Sequence, residues 1–215
     1  MQATVEQYAN GRCGPAHRAR PALTVAADKA RLRAECQALR ARIGAAVRAE
    51  AAARIADNFL AAVALAPSAV VAGYWPFPDE VDPRPLMSAL HARGHLLCLP
   101  VVERRGSPLA FRAWAPGEGL EPGVFATREP APGNAHLTPD CLLVPLLAFD
   151  RDGIRLGFGA GYYDLTLAAL EGRGSLAAGL AFAVQEHARL PREAHDRALD
   201  WIVTEREAFR VGAGR

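Results

Sequence analysis

The sequence predicts an α/β fold in which a mostly parallel central sheet is flanked by helices. Short apolar runs rich in Val, Leu and Ala alternate along the chain with longer segments of helical composition, and Gly or Pro residues separate them. Strands that alternate with helices pair in parallel, because each crossover helix returns the chain to the same edge of the sheet. With 215 residues, 51% of them apolar, the chain can bury the core that such a sheet requires.

The first half of the predicted domain begins with two helices. Residues 28–65 are dense in Ala, Leu, Arg and Glu, with Asp28 as the N-cap, Gly44 as a break between the helices and Pro67 as the stop. The next predicted elements are a strand, a helix and two strands, at residues 69–74, 83–93, 95–100 and 109–114.

The second half continues the alternation after a long connection. Residues 116–139 are rich in Pro and Gly and are predicted to form a surface loop, which either covers a site or joins two strands. The later elements are a strand, a loop, a helix and two strands, at residues 140–145, 146–159, 162–170, 176–182 and 201–203. Residues 28–215 are predicted to form a single domain, preceded by a flexible extension at residues 1–27.

Several classes of function are disfavoured by composition. A net charge of +2 gives no sign of a nucleic-acid partner, and no apolar run approaches the ~20 residues of a membrane span. The N-terminal residues contain no apolar signal core. Four scattered cysteines without C-x-x-C spacing, at positions 13, 36, 98 and 141, fit reduced thiols of a cytoplasmic protein better than a zinc cluster.

The strongest chemical signal is a glycine-rich segment that joins a buried strand to a helix. Gly157, Gly159 and Gly161 let backbone N–H groups approach an anion closely, because no Cβ stands in the way. The helix that follows directs its positive end to the same place. Arg155 adds a charge with fork geometry suited to phosphate oxygens, and Asp164 is placed to hold Mg²⁺.

Spacing alone leaves a second interpretation of this segment open. The pattern is neither G-x-x-x-x-G-K-[ST] nor G-x-G-x-x-G, which are the two common phosphate-binding signatures. A glycine-rich turn that merely connects a strand to a helix, with Tyr162 and Tyr163 packed in the core, explains the same residues.

Three motifs near this segment resemble the signature of the 5-formyltetrahydrofolate cyclo-ligase family. They are Val-Pro-Leu-Leu-Ala-Phe-Asp at 144–150, Gly-Ile-Arg-Leu-Gly at 153–157 and Gly-Ala-Gly-Tyr-Tyr-Asp at 159–164. Other similar segments follow the family's order: Lys29 and Arg33, Tyr74 with 79–82, Leu-Pro-Val-Val at 99–102, Arg-Glu-Pro at 128–130, 190–196, and Asp200 with 203–205. The resemblance extends from Asp28 to about Phe209.

The resemblance implies a reaction and a fold. Members of this family convert 5-formyltetrahydrofolate and ATP, with Mg²⁺, into 5,10-methenyltetrahydrofolate, ADP and phosphate. The implied fold is a three-layer α/β/α arrangement like that of sugar-phosphate isomerases and CoA transferases. The implied partners are ATP and the folate, with no nucleic acid or membrane; monomer and homodimer stay open.

The resemblance also implies roles for particular residues. Arg155 and Glu80 are expected to take part in catalysis, and Asp164 and Asp196 to bind Mg²⁺. The expected ATP contacts are Lys29, Arg33, Arg155, Leu156, Gly157, Phe158, Gly159, Ala160, Gly161, Tyr162 and Tyr163. The expected folate contacts are Trp75, Glu80, Phe158, Gly159, Ala160, Gly161 and Tyr162.

Several of these residues have a plainer interpretation. Lys29 and Arg33 fit a solvated helix face, Glu80 a helix start, and Asp196 a turn or cap. Trp75 fits a core position. Two histidines, His187 and His195, are interpreted as partly buried or solvated side chains without an acid–base role.

Two positions depart from the family pattern, and two other functions compete with it. Ala160 stands where members often carry Gly or Lys, and its Cβ fits if φ is negative; Leu165 stands where many carry Arg, which removes a charge near the site. The competing functions are another sugar-phosphate or CoA-handling enzyme, for which no base motif is present, and a non-catalytic folate- or nucleotide-binding relative.

Overall fold

A computed structural model of the chain describes residues 24–212. Most of the predicted extension at residues 1–27, together with Cys13, lies outside the described residues. Within them, three cysteines (Cys36, Cys98 and Cys141) are buried and free of disulfides, as expected. Burial raises the pKa of the Cys98 and Cys141 thiols to about 12, which keeps them protonated. Across residues 24–212, no helix combines the length and the apolar character that crossing a bilayer demands.

The first two helices are α1, Val25–Ala41, and α2, Ala45–Ala62. The break predicted at Gly44 is confirmed, since Gly44 is the N-cap of α2. The predicted N-cap Asp28 is wrong: Thr24 caps α1, with its hydroxyl accepting from the N–H of Ala27 at 3.3 Å. Asp28 lies in the first turn, where its carboxylate faces the positive end of the helix.

A seven-stranded sheet forms the centre of the molecule. Its strands are β1 Val70–Ala72, β2 Leu96–Val101, β3 Ala110–Ala113, β6 Cys141–Pro145, β9 Leu176–Leu180, β10 Trp201–Val203 and β11 Ala208–Arg210. Their order across the sheet is β11-β10-β9-β6-β1-β2-β3. The five central strands are parallel, and β3 and β11 pair antiparallel at the two edges. The predicted mostly parallel sheet is confirmed.

Helices cover both faces of this sheet, which confirms the three-layer arrangement. Successive strand residues point to opposite faces, so Val71 and Leu143 lie on one side and Ala72 and Leu142 on the other. The first side packs against α2 and against α3, Arg84–Ala92. The second side packs against α4, Tyr162–Leu170. Both faces are therefore buried, as a parallel sheet requires.

The sequence prediction does not include several short strands. The predicted loop at 146–159 contains a hairpin of β7, Ala148–Phe149, and β8, Arg155–Leu156. The predicted surface loop at 116–139 contains a second hairpin of β4, Glu121–Pro122, and β5, Arg128–Glu129. The prediction that residues 201–203 form the last strand is wrong, because β11 follows and pairs with them.

The strand order creates a crevice at one place in the sheet. From β1 the chain proceeds to β2 and β3 on one side, and it then returns to β6, which pairs with the other side of β1. At such a switch the connections leave neighbouring strands in opposite directions, and a gap opens beyond their carboxyl ends. The sheet topology thus places a ligand crevice after Ala72 and after Pro145.

Candidate active site

A cavity of about 560 Å³ occupies this crevice. Trp75 and Glu80 reach it from the segment after β1, and Pro145 reaches it from the end of β6. The first helix and the start of α4 close two further sides. All the sequence-predicted site residues line this one cavity: Lys29, Arg33, Trp75, Glu80, Arg155 to Asp164 and Asp196. Residues separated by up to 167 positions are thus brought together.

The β7–β8 hairpin positions Arg155 at the cavity wall. Its turn is held by Asp150, whose buried carboxylate accepts from the N–H groups of Asp152, Ile154 and Leu190 at 2.9–3.1 Å. The turn also needs Gly153, at φ +77°, since a Cβ there would lie 2.8 Å from the carbonyl oxygen of Leu199. Asp150 belongs to the signature motif, and its observed role is to shape the hairpin.

Arg155 is buried and tied to two neighbours. Its Nη2 donates to Oδ1 of Asp164 at 2.8 Å, and its Nη1 donates to the carbonyl oxygen of Arg197 at 2.6 Å. The same Asp164 oxygen accepts from the N–H of Arg197 at 3.0 Å. A guanidinium held at both ends keeps a fixed direction, as an anion-binding charge requires.

The glycine-rich segment wraps around the side chain of Arg33. Arg33 donates from Nε to the carbonyl oxygen of Gly157 at 2.9 Å. Gly159 has φ +101° and Gly161 has φ +73°, which are conformations that favour glycine. Ala160 is not among the described residues with positive φ, so the expectation that its Cβ fits is confirmed.

Replacing Gly159 with alanine is expected to lower the free energy of unfolding by about 1–3 kcal/mol, because a side chain at this φ is strained. The new Cβ would also lie 3.1 Å from Cζ of Arg33. Gly157→Ala is the matched control, since a Cβ there meets no atom within 4 Å. Urea unfolding of both variants measures the effect. Equal stabilities would contradict the strain.

The N-terminus of α4 faces the cavity beside these glycines. Gly161 is its N-cap and makes no side-chain cap bond, so the first-turn N–H groups are open to an anion. The helix is anchored by Thr166, whose hydroxyl donates to the carbonyl oxygen of Tyr162 at 2.7 Å and accepts from the N–H of Leu109. Leu165 is exposed and does not line the cavity.

Lys29 is held between two carboxylates. Its Nζ lies 2.6 Å and 2.8 Å from the two oxygens of Asp196 and 2.8 Å from Oε2 of Glu193. Burial lowers the pKa of Lys29, but the hydrogen bonds that Lys29 donates to both carboxylates outweigh it and leave the pKa above its ordinary value. Asp196 shows the converse: burial raises its pKa, and the bonds from Lys29 and the Glu193 N–H bring it below 3.8. The solvated-face interpretation of Lys29 does not fit this burial.

The two predicted metal ligands lie on the same cavity but in different ion pairs. Asp164 pairs with Arg155, and Asp196 pairs with Lys29. A different group of side chains has the spacing of metal ligands. One possible ligand atom from each of Glu193, His195 and Asp196 lies within 4.8 Å of the others. Sequence reasoning assigned no role to Glu193. Its signal was its position three residues before Asp196, and the turn between them is closed by a bond from the Glu193 N–H to Asp196 at 2.7 Å.

Glu80 is a buried carboxylate that lines the same cavity. Its side chain accepts from the N–H of Phe77 at 2.9 Å, and its other oxygen lies 3.9 Å from Nη1 of Arg40. Burial raises the pKa of Glu80 to about 7, against the lowering effects of the Phe77 bond and of Arg40. The carboxyl group can thus change charge near neutral pH. The plainer interpretation of Glu80 as a helix-start residue does not fit, since α3 begins at Arg84.

Aromatic side chains supply the apolar part of the wall. Trp75 lines the cavity, meets Trp114 edge to face at 6.1 Å between ring centroids, and lies under the guanidinium of Arg84. Phe158 is 46% exposed and meets the ring of Phe77 at 5.8 Å. An exposed ring inside a cavity offers a surface on which a flat heterocycle stacks.

The β4–β5 hairpin contributes one wall of the cavity, so the loop predicted at 116–139 covers a site, which was one of its two interpretations. Phe125, Thr127, Arg128 and Glu129 line the cavity from this hairpin. Phe125 and its neighbour Ala126 have φ +56° and +59°, an unusual conformation for side-chain-bearing residues. The Phe125 ring lies 6.1 Å from that of Tyr162. Pro and Gly density marked this segment as a loop, and no local pattern indicated which way it faces.

The burial of the two histidines fits their interpretation as partly buried or solvated side chains. His195 is exposed at the cavity rim, 3.9 Å from oxygens of Glu193 and Asp196. His187 is partly buried and contacts Sγ of Cys36 at 3.4 Å, away from the cavity lining.

Comparison with known proteins adds three findings. The sequence pattern of the 5-formyltetrahydrofolate cyclo-ligase family matches residues 25–205. A 5-formyltetrahydrofolate cyclo-ligase of Haemophilus influenzae is 28% identical over 77% of this chain and 91% of its own length. The Escherichia coli K12 protein of the same name is 33% identical over 62% of this chain and 76% of its own length.

Two solved structures share the architecture. A 5,10-methenyltetrahydrofolate synthetase of Aquifex aeolicus superposes with a TM-score of 0.74 at 32% identity, covering 87% of this chain and 94% of that one. A 5,10-methenyltetrahydrofolate synthetase of Mycoplasma pneumoniae superposes with a TM-score of 0.66 over 83% of this chain and 99% of its own, at 24% identity, and supports the fold.

Proposed function

This chain belongs to the 5-formyltetrahydrofolate cyclo-ligase family and is an enzyme, and from that premise we propose that it uses MgATP to convert 5-formyltetrahydrofolate into 5,10-methenyltetrahydrofolate, ADP and phosphate. The observation that carries the proposal is the composition of one cavity. An anion-binding loop and the N-terminus of α4 share it with a buried carboxylate and an aromatic wall. Those are the surfaces that a nucleotide triphosphate and a pterin require.

The chemistry explains why both substrates need one cavity. The formyl oxygen attacks the γ-phosphorus of ATP, the bond to the bridging oxygen breaks, and ADP leaves. The substrate's own N10 then attacks the activated carbon, loses its proton and expels phosphate. Because the nucleophile belongs to the folate, the protein contributes positioning and charge neutralisation rather than a nucleophilic side chain.

The proposed roles divide the cavity into two sides. On the ATP side, Arg155 and the α4 N-terminus neutralise phosphate charge, and Arg33 holds the glycine loop through Gly157. On the folate side, Glu80 accepts hydrogen bonds from pterin or formamide donors, and Trp75 with Phe158 provides stacking surfaces. Phosphate and formyl oxygen meet between them, at the glycine-rich loop.

The carboxylates on the ATP side fit Mg²⁺. Asp164 and Asp196 both face the cavity, and carboxylate oxygen is the protein ligand that Mg²⁺ prefers. Lys29 neutralises one of the two carboxylates it contacts, so Glu193 and Asp196 retain one negative charge between them. Mg²⁺ held by these carboxylates would supply further neutralisation of the phosphate oxygens. Lys29 then fixes the position of Asp196, in addition to its proposed ATP contact.

The proposal is tested by mixing purified protein with 5-formyltetrahydrofolate, ATP and Mg²⁺ and recording methenyltetrahydrofolate absorbance together with ADP release. We expect one ADP for each methenyltetrahydrofolate formed, and no product when ATP is omitted or when the metal is chelated. If the folded protein forms no methenyltetrahydrofolate, the proposal is refuted. Formation of product without release of ADP would exclude ATP as a substrate.

The cytoplasmic location and the single domain at 28–215 stay predictions.

Changing Asp164 to asparagine is expected to reduce Mg²⁺-dependent turnover about 100-fold. The asparagine oxygen keeps the bonds from Arg155 and the Arg197 N–H, so the free energy of unfolding should fall by about 1 kcal/mol. The rate is measured across a Mg²⁺ titration, with the exposed Asp57→Asn as control. An unchanged Mg²⁺ dependence would exclude Asp164 from the metal site.

A further inference from the structure

Arg40 is a cation in the interior of the protein. It lies near the end of α1, its side chain is 2% exposed, and it is among the largest fully buried side chains of the described residues. Its Nε donates to Oδ2 of Asp79 at 3.0 Å, and its Nη1 donates to the carbonyl oxygen of Leu146 at 3.4 Å. Arg40 is paired and hydrogen-bonded, but the cost of desolvating a buried ion pair offsets its attraction, so stability alone does not explain the presence of this cation.

Two neighbours connect Arg40 to the cavity, although Arg40 itself does not line it. Its Nη1 lies 3.9 Å from Oε1 of Glu80, on the proposed folate side. Its guanidinium carbon lies 5.4 Å from the centre of the Phe158 ring, which belongs to the glycine-rich loop. At that distance the cation attracts the face of the ring. One side chain thus approaches both Glu80 and a residue of the glycine-rich loop.

We propose that Arg40 is a positioning residue that holds the Glu80 carboxylate ionised and oriented while it anchors the Phe158 ring, so that the folate side and the phosphate loop form together. The inference rests on the proposed function and deepens it. Glu80 touches the substrate, whereas Arg40 acts through Glu80 and Phe158.

The effect of Arg40 on the pKa of Glu80 depends on the other charged and titratable groups around that carboxylate. From α1, Arg40 lowers the pKa of Glu80; from the same segment as Glu80, Asp79 raises it. Tyr74, beyond β1, and Tyr163, on α4, also face Glu80, and burial raises the pKa of both phenols, so they stay neutral. Arg40 therefore opposes burial and Asp79, and without it the pKa of Glu80 would rise above about 7.

The first experiment replaces Arg40 with methionine, which retains apolar bulk and removes the charge. We measure kcat/KM for 5-formyltetrahydrofolate at saturating MgATP between pH 5.5 and 9. The acid limb of the profile should shift to higher pH by about 1 unit or more. At pH values on this limb, kcat/KM should therefore fall about tenfold. Arg40→Lys retains the charge and should keep the limb close to that of the wild type. Arg31→Met, on the exposed face of the same helix, is the control.

A second variant tests the sign of the effect. Asp79→Asn removes a negative charge that opposes ionisation of Glu80, so the acid limb should shift to lower pH by less than 1 unit. Opposite shifts from two residues that bond to each other cannot arise from general loss of packing. If Arg40→Met fails to fold, the unshifted limb of Arg40→Lys and the downward shift of Asp79→Asn still test the inference, because both variants retain polar side chains at this contact.

Three results would overturn the inference. The first is an unshifted acid limb in Arg40→Met, with kcat/KM reduced equally at every pH, which indicates a structural role. The second is a downward shift in Arg40→Met or an upward shift in Asp79→Asn. The third is a full effect of Arg40→Met on kcat/KM in a Glu80→Gln background, because an effect exerted through Glu80 should largely vanish there. A wild-type protein without turnover refutes the proposed function instead, so the two failures are distinguishable.

Discussion

Changing Glu80 to glutamine is expected to stabilise the protein at pH 8 by about 2–3 kcal/mol while it lowers kcat/KM for 5-formyltetrahydrofolate about 10- to 100-fold. Burial raises the pKa of Glu80 from 4.5 to about 7 in the folded protein. At pH 8 the wild type therefore holds an ionised carboxylate at a buried position where its charge is less favourable than in the unfolded chain. Glutamine is neutral at every pH and can still accept from the Phe77 N–H.

The raised pKa of Glu80 determines how the stability difference between the variant and the wild type depends on pH. A carboxyl group whose folded pKa is raised binds a proton more tightly in the folded state, so it stabilises the fold fully below pH 4.5. That contribution is lost as the pH rises toward 7. The difference between Glu80→Gln and the wild type should therefore be near zero at pH 4 and should reach its maximum at pH 8.

Urea unfolding at several pH values measures the stability, and initial rates measure the activity. Glu50→Gln, an exposed change on α2, is the control for losing one carboxylate. A stability difference that does not depend on pH would contradict the raised pKa. An unchanged KM for the folate would remove Glu80 from the substrate contacts.

The second large effect concerns Lys29, the single lysine of the sequence. Replacing it with methionine should lower the free energy of unfolding by about 2–3 kcal/mol, since Asp196 and Glu193 lose the cation that lies between them. Water in the cavity screens these charges, so the loss stays below that of a dry interior pair. Turnover with MgATP should fall about 100-fold.

The loss of stability should depend on pH. Asp196, whose pKa is lowered, stabilises the fold above pH 3.8 and loses this contribution as the pH falls through its folded value. Lys29, whose pKa is raised, contributes below pH 10.5 and loses this contribution as the pH rises through its folded value. The difference between Lys29→Met and the wild type should be largest between these limits and smaller at pH 3.

A double variant separates structure from chemistry. Lys29→Met with Asp196→Asn removes a charge of each sign, so stability should partly recover while activity does not. Arg31→Met, an exposed change on the same helix, controls for losing a positive charge. Additive losses of stability in the double variant would contradict the pairing.

Much of the fold follows from local sequence patterns. The helix predicted at 162–170 has those bounds in the structure, because the glycines before it and Gly172 after it interrupt the helical pattern on both sides. The apolar runs at 95–100 and 140–145 are strands β2 and β6, since both faces of a parallel sheet are buried. The two-residue strands β7 and β8 escaped prediction because two residues show no periodicity.

One stripe of α1 illustrates what sequence spacing can and cannot reveal. Lys29, Arg33, Cys36 and Arg40 lie at i, i+4, i+7 and i+11, which is the spacing of a single helix face. That face carries three cations and points inward, with Lys29, Cys36 and Arg40 buried. Spacing shows that these residues share a face. Their partners, Asp196, Gly157 and Glu80, come from distant segments that no local pattern connects to α1.

The sequence by itself determined the α/β class, the glycine-rich strand–loop–helix segment and the resemblance that the family match confirms, because these depend on periodicity, turn chemistry and short motifs. Tertiary structure alone decided the pairing of Lys29 with Asp196 and Glu193, the raised pKa of Glu80 and the burial of Arg40. Those properties arise from distances and desolvation, which exist only after the sheet brings the carboxyl ends of β1 and β6 together.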